Sequence, residues 1–317
     1  MTPPAQSRPT RRVQFTPSAT LERLGLRSDR IAFGLAGIGG AWVPVDQGVA
    51  RATLQQALEL GVGCFDVAPA YGTAEKLLGE ALARWRGPRP VVSTKVGRIP
   101  ARDPHEGVFD YSPAGMRDSL QRSLATLGLP AVDLLFLHEP NEVPPAERPR
   151  VVEALRQLQA DGLTRRLGLG GGQGAGWDGF VESGAFDVAM LFRRLDACIF
   201  DGLAEDLPRL RRAGLATYGA SPLHMGLLGS KHDEFVRACP AWVWPEQIGR
   251  AIHLRALAEK HGLPLATLAH RFLFSVEEID RVVIGACTPA ELAGALADFS
   301  AGPLPAGLFD EVGATAR

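Results

Sequence analysis

An aspartate, a tyrosine, a lysine and a histidine stand where apolar runs of this sequence end. FDVAPAYG (65–72) holds Asp66 at the close of one run and Tyr71 in the loop behind it. PVVSTKV (90–96) places Lys95 near its end, and VDLLFLH (132–138) ends on His138. A phenol titrates near ~10 in water, so it exchanges a proton at neutral pH only where its anion is stabilised. A neighbouring ammonium supplies that stabilisation. A carboxylate then keeps the ammonium charged and aimed. A histidine can donate a hydrogen bond to a substrate oxygen or relay a proton. Together the four make an acid–base device for interconverting a carbonyl and an alcohol. Singly, each has a plainer use: a loop cap, a packing ring, a surface ion pair, a structural histidine. The set carries the argument.

The elements that must position these groups follow a repeating order. Short apolar runs at 31–37, 64–68, 90–96, 132–138, 165–171, 186–192, 215–220 and 281–286 read as strands. Between them lie segments of helical period at 45–61, 73–85, 112–129, 147–161, 177–184 and 202–214. One or two helices fall between 246 and 276, and a last one at 288–299. Thr73 reads as an N-cap, and Ser112–Pro113 and Thr288–Pro289 open their helices as cap and first helical residue. Several strands are continuously apolar, as expected where helices cover both faces of a parallel sheet. Eight such units in 317 residues favour an α/β fold of the (β/α)8 TIM barrel kind over an open doubly wound sheet. The chain then forms a single domain, 1–317, with 1–15 and 303–317 as peripheral tails that pack on the barrel or are partly disordered. The loops 98–113 and 219–246 are long enough to act as lids.

Composition narrows the function. Lys and Arg number 34 against 35 Asp and Glu, a net charge of −1, which gives no ground for a nucleic-acid partner. No run of about 20 apolar residues is present to span a membrane, and the N-terminus lacks the apolar core of a secretion signal. A cytoplasmic protein acting on small molecules is the expectation, with oligomeric state open. Cys64, Cys198, Cys239 and Cys287 form no C-x-x-C pair, and the histidines show no ligand spacing, so no metal is expected. In GLGGGQGAG (168–176), Gly170, Gly172 and Ala175 fit G-x-G-x-x-A. The run lies mid-chain behind a fifth strand rather than in an early βαβ unit, which favours a flexible loop near a cofactor over a Rossmann fingerprint.

FDVAPAYG, STKVG and LFLHEP, with the opening FGLAGIGG and the segment 108–140, resemble the aldo/keto reductase superfamily in strand order along nearly the whole chain. Within it the chain is most similar to the branch of sugar 1-dehydrogenases acting on L-fucose, L-galactose or D-threo-aldoses, with pyridoxal 4-dehydrogenase near by. The resemblance implies a barrel holding NAD or NADP across its mouth without metal, and hydride transfer between cofactor and a small aldehyde or alcohol. It makes Tyr71 the general acid/base, Lys95 and Asp66 the partners that set its pKa, and His138 the group that orients substrate. Trp42 falls where family members line the substrate pocket. Glu139 can meet a substrate hydroxyl, His224 is a candidate substrate contact, and Phe109 and Tyr111 are weaker ones.

The departures from the family fall on the cofactor side. The Ser-Asn and Gln that hold the carboxamide in many members are replaced by Gly170, Gly171 and Met190, and the stacking aromatic by Ala220. The resemblance assigns the remaining contacts to Ser221, Leu223, Gly285, Ala286, Cys287, Thr288 and Glu291. No cation stands in the last group to grip a 2′-phosphate, and Glu291 would repel one, which favours NAD over NADP. The helix N-terminus at Thr288 could still receive an anion on its free N–H groups. An NADPH-dependent aldehyde or ketone reductase, or a barrel that binds cofactor without turnover, are the alternatives.

Overall fold

The structure is a computed structural model and describes residues 17–27, 29–42, 44–103, 105–171 and 174–315. Eight strands close into a parallel barrel in chain order: β1 Ile31–Gly34, β2 Cys64–Asp66, β3 Val91–Val96, β4 Val132–His138, β5 Thr164–Gly170, β6 Val188–Phe192, β7 Ala216–Ala220 and β8 Arg281–Gly285. The helices are α1 Ala19–Arg23, α2 Gln47–Glu59, α3 Ala74–Arg84, α4 Pro113–Leu127, α5 Arg148–Ala160, α6 Asp178–Glu182, α7 Leu207–Arg212, α8 His232–Ala238, α9 Pro245–Lys260, α10 Leu265–Ser275, α11 Pro289–Ser300 and α12 Ala306–Ala314. The closed barrel, rather than an open sheet, is what the eight-unit rhythm predicts. It also removes the context that a Rossmann reading of 168–176 needs, and Gly172 lies outside the described residues.

Side chains alternate along a strand, so one parity faces the barrel axis. A buried cluster joins Ala32, Cys64, Val91, Leu134, Phe136, Val188, Tyr218 and Val283 inside the barrel with Leu21, Leu24 and Leu26 beneath it. One or two alternations towards the C-terminal end bring Asp66, Ser93, Lys95 and His138 to the same inward face. Gly170, Met190, Ala220 and Gly285 share that parity on β5 to β8. The upper lumen is therefore polar on one side and small or apolar on the other.

Several local expectations are revised. Thr73 flanks α3 without capping it: its hydroxyl donates to the Gly39 carbonyl at 3.1 Å, tying loop two to loop one. The helix expected over 202–214 opens as a π-turn, Gly202–Asp206, before α7, where Pro208 has no N–H to give. The C-terminal segment takes the packed alternative and adds a helix: α12 buries Leu308 and Val312, and Phe309 stacks on Phe272 of α10 at 5.1 Å. Residues 1–15 lie outside the described residues. Ser112 and Thr288 do cap α4 and α11, accepting from Gly115 N–H and Glu291 N–H.

The barrel floor is closed around Arg281. Its guanidinium is buried and donates to the carbonyls of Leu26, Arg27 and Asp29, the Tyr218 hydroxyl and the Cys64 sulfur. All five donors of the fork are used. Replacing Arg281 with Met strands those acceptors at ~1–3 kcal/mol each. Urea unfolding of Arg281→Met is expected to lose at least about 3 kcal/mol; a loss below ~1 kcal/mol would contradict this account of the floor.

Candidate active site

Loops one and two seat Tyr71 by backbone contact. A Cβ at Gly39 would lie 1.7 Å from the Tyr71 carbonyl oxygen, so only glycine lets the two loops meet. Gly72 has φ +61°, a left-handed backbone that favours glycine, and a Cβ there would meet the Gly39 oxygen at 2.3 Å. The half-buried Tyr71 ring is then fixed on two sides: edge-on to Trp42 at 5.6 Å and to His138 at 5.8 Å between centroids.

Lys95 lies beneath it. The ammonium is 4.9 Å from the Tyr71 ring centroid and donates to Asp66 Oδ2 at 2.5 Å and to the Val67 carbonyl at 3.1 Å. Both partners of this ion pair are almost wholly buried. Asp66 Oδ1 accepts from Ser93 Oγ at 2.7 Å. The structure thus brings Asp66, Tyr71, Lys95 and His138 together, and adds Ser93. Its sequence signal was its position two residues before Lys95, which puts it on the same inward face.

The electrostatics run partly against the simple expectation. Burial is the largest influence on Tyr71 and holds its phenol above the usual range; the Lys95 charge pulls it down but does not overcome burial. Burial also opposes the Lys95 ammonium, yet Asp66 and then Tyr71 outweigh it and raise its pKa, so it stays charged. His138 is pushed well below its ordinary value by burial, with Lys95 and Arg98 adding to the effect. It is a neutral imidazole at pH 7, able to donate one hydrogen bond. Its Nδ1 is buried with no partner among the described residues.

Around the mouth, Tyr111 is a brace rather than a pocket wall. Its hydroxyl donates to the carbonyls of His138 and Glu139 at 2.9 and 2.8 Å, and Phe109 stacks on it at 5.8 Å. Arg98, which the sequence reading passed over, sits 3.4 Å from Glu139 and 6.0 Å from the Trp42 ring. Beside Tyr71 a cleft of about 220 Å³ is lined by Ala41, Ala70, Gly72, Arg98, Arg102 and Glu106, among others. His224 is not placed as a substrate contact: it is 1% exposed, with Nδ1 against Asp196 Oδ2 at 2.8 Å, pinning loop seven to loop six.

The opposite half of the mouth suits a nicotinamide cofactor. Gly170 and Ala220 leave the upper lumen short of side chains, and a Cβ at the exposed Gly285 would meet nothing within 4 Å. Gly171 has φ +129° and excludes side chains in practice. Ser221, at φ +61°, accepts the Met225 N–H on its hydroxyl at 3.0 Å and turns the chain past Leu223. At α11 the Cys287 N–H already donates to Glu291 Oε2 at 2.7 Å. Cys287 lies one residue before the Thr288 N-cap, next to Ala286, so this bond holds the Glu291 carboxylate beside the start of the helix. Among the described residues no group of three His, Cys, Asp or Glu gathers as metal ligands, and no helix is long and apolar enough to cross a membrane.

Comparison with known proteins agrees with this architecture. The model for the aldo/keto reductase family matches residues 30–315. A pyridoxal 4-dehydrogenase from Microbacterium luteolum is 29% identical over 307 residues, covering 86% of this chain and 90% of that protein. An L-galactose dehydrogenase from Arabidopsis thaliana is 31% identical over 282 residues, covering 84% and 82%. Among solved structures, an aldo-keto reductase from Bacillus halodurans in its holo form superposes with a TM-score of 0.76 at 22% identity, covering 91% of this chain and 92% of that one, a likeness of fold.

The three tyrosines of the chain are all held above the ordinary phenol range, with burial the largest cause in each. An alkaline ultraviolet titration of the protein without cofactor is therefore expected to show no folded-state phenolate midpoint at or below about 10. A midpoint there that disappears in Tyr71→Phe would contradict the dominance of burial at this ring.

Proposed function

The chain belongs to the aldo/keto reductase family and is an oxidoreductase enzyme, and on that premise we propose that it is an NAD-preferring dehydrogenase of the aldose 1-dehydrogenase type, with Tyr71 as general acid/base. The observation that carries this reading is the buried Asp66–Lys95 pair lying directly under the Tyr71 ring, with His138 edge-on beside it. The substrate class is supported by similarity to proteins named for the oxidation of pyridoxal and L-galactose.

When bound, the nicotinamide accepts or supplies the hydride. Gly170, Gly171, Met190, Ser221, Leu223, Gly285, Ala286, Cys287 and Thr288 are the residues that would hold the cofactor. The chain's own groups handle the proton. In oxidation, Tyr71 as phenolate takes the proton of the substrate hydroxyl while His138 donates a hydrogen bond to the same oxygen. In reduction, Tyr71 as phenol returns that proton. Lys95 favours the phenolate, and Asp66, itself held by Ser93, keeps Lys95 charged and in place. The aromatic wall of Trp42 shields the reacting oxygen from water.

The preference for NAD rests on Glu291. Its carboxylate accepts from the Cys287 N–H, one residue before the Thr288 N-cap of α11. A 2′-phosphate would meet this fixed negative charge, whereas a ribose hydroxyl can donate to it.

Two measurements test the proposal. Tyr71→Phe is expected to lose about 10²–10⁴-fold in kcat for aldose oxidation while keeping the rise in thermal stability given by cofactor; undiminished turnover would refute Tyr71 as the acid/base. With the native enzyme, NAD is expected to raise the melting temperature more than NADP at equal concentration. A larger rise with NADP would overturn the role given to Glu291.

A further inference from the structure

Loops three and four place an ion pair against the substrate side of the reacting tyrosine. Gly97 leaves β3 at φ +109°, where a Cβ would strike the Tyr111 ring at 2.3 Å. Loop three then folds back on itself: Ile99 N–H donates to Val108 at 3.0 Å, and Asp110 N–H to Gly97 at 2.7 Å. This narrow ladder directs Arg98 over Trp42. From the other side, Glu139 follows His138 with φ +52°. Such a backbone costs a non-glycine residue roughly 1–3 kcal/mol and persists only where its surroundings fix it. Here they do: Glu139 N–H donates to the Gly170 carbonyl at 3.0 Å, and its own carbonyl accepts from Tyr111.

The resulting Arg98–Glu139 pair is loose for its kind. The two groups are 3.4 Å apart, with 17% and 30% of their side chains exposed. A close charge-assisted bond runs at about 2.7–2.9 Å. The two partly exposed groups therefore set a cation and a carboxylate side by side at the mouth, beside Trp42. Both charges reach the reacting groups: Glu139 is among the influences on Tyr71, and Arg98 among those on His138. The adjoining cleft wall repeats the balance with Arg102 and Glu106.

We infer that Arg98 and Glu139 form a hydroxyl-reading clamp, with Trp42 as its apolar wall, which takes a neutral vicinal diol next to the reacting carbon of the substrate. A hydroxyl both accepts and donates, so neighbouring hydroxyls can bridge the guanidinium and the carboxylate. Trp42 offers its face to the C–H side of a sugar ring. A carboxylate or phosphate on the substrate would gain Arg98 but meet Glu139, so the pair selects against anions as well as against bare alkyl chains. The clamp rests on the aldose reading above and narrows it to substrates whose hydroxyls lie beside the reacting carbon.

The test compares kcat/KM for L-galactose and L-fucose oxidation with that for propanal reduction, in the native enzyme, Glu139→Gln, Arg98→Met and Arg98→Lys. Glu139→Gln keeps the shape of the side chain, which guards against simple loss of fold. Losing a hydrogen bond to a charged group is expected to lower the aldose-to-propanal ratio by about 10–100-fold. The loss should fall mainly on KM for the sugar, with partial recovery in Arg98→Lys relative to Arg98→Met. Native turnover of the sugars with an unchanged ratio in Glu139→Gln and Arg98→Met would overturn the clamp alone. Native turnover of propanal with none of either sugar would overturn the aldose reading and the clamp with it.

Discussion

Asp66 and Lys95 meet 2.5 Å apart at the top of the barrel lumen, where neither reaches bulk water. Burying two opposite charges costs several kcal/mol per ion, and their attraction repays it only with good geometry and satisfied remaining atoms. The barrel meets both conditions. Ser93 holds the second carboxylate oxygen, and the Val67 carbonyl takes a second ammonium proton. Such a pair is weak evidence for stability, since apolar side chains would fill the same space at lower cost. Its effect is on the protonation of the groups around it: the ammonium favours the Tyr71 phenolate and the neutral His138 imidazole.

The rest of the mouth is arranged around that pair. Polar groups occupy the strand ends of β2 to β4, and small or apolar ones those of β5 to β8, so under the proposed mechanism the proton is handled on one half of the lumen and the other half is left to the cofactor. Neighbouring loops keep the halves in register through backbone contacts rather than long side chains. The close approach of Gly39 to Tyr71 and the bond from Glu139 N–H to the Gly170 carbonyl are two examples. The departures that looked like losses on the cofactor side, Gly170, Gly171 and Ala220, leave main chain and open space where family members carry side-chain contacts.

Much of this was legible in the sequence because strand periodicity and residue chemistry point the same way. The order of eight apolar runs predicts the barrel, and the polar residues at the ends of runs two to four predict the site. What was not legible depends on three-dimensional approach. Ser93 looks like any serine in a strand until register places its hydroxyl on Asp66. His224 looks like a loop histidine until Asp196, 28 residues earlier, is seen to hold it. Arg98 has no sequence signal of its own, and only the fold of loop three brings it over Trp42. The fold of Glu291 back one turn onto the Cys287 N–H is likewise not visible in the sequence. The sign of the Tyr71 shift was misjudged because sequence reveals the lysine but not the depth of burial.

The central claim is that the buried ammonium lowers a Tyr71 proton affinity that burial has raised, and the pH dependence of kcat/KM for aldose oxidation in the native enzyme and Lys95→Met tests it most directly. Oxidation uses the phenolate. Because burial holds the Tyr71 pKa above its ordinary value, the native rate should climb as pH rises through the alkaline range. Removing the ammonium takes away the influence that lowers this pKa, so the rising limb of Lys95→Met should move to still higher pH. A limb that stays where it is in the native enzyme would contradict the account.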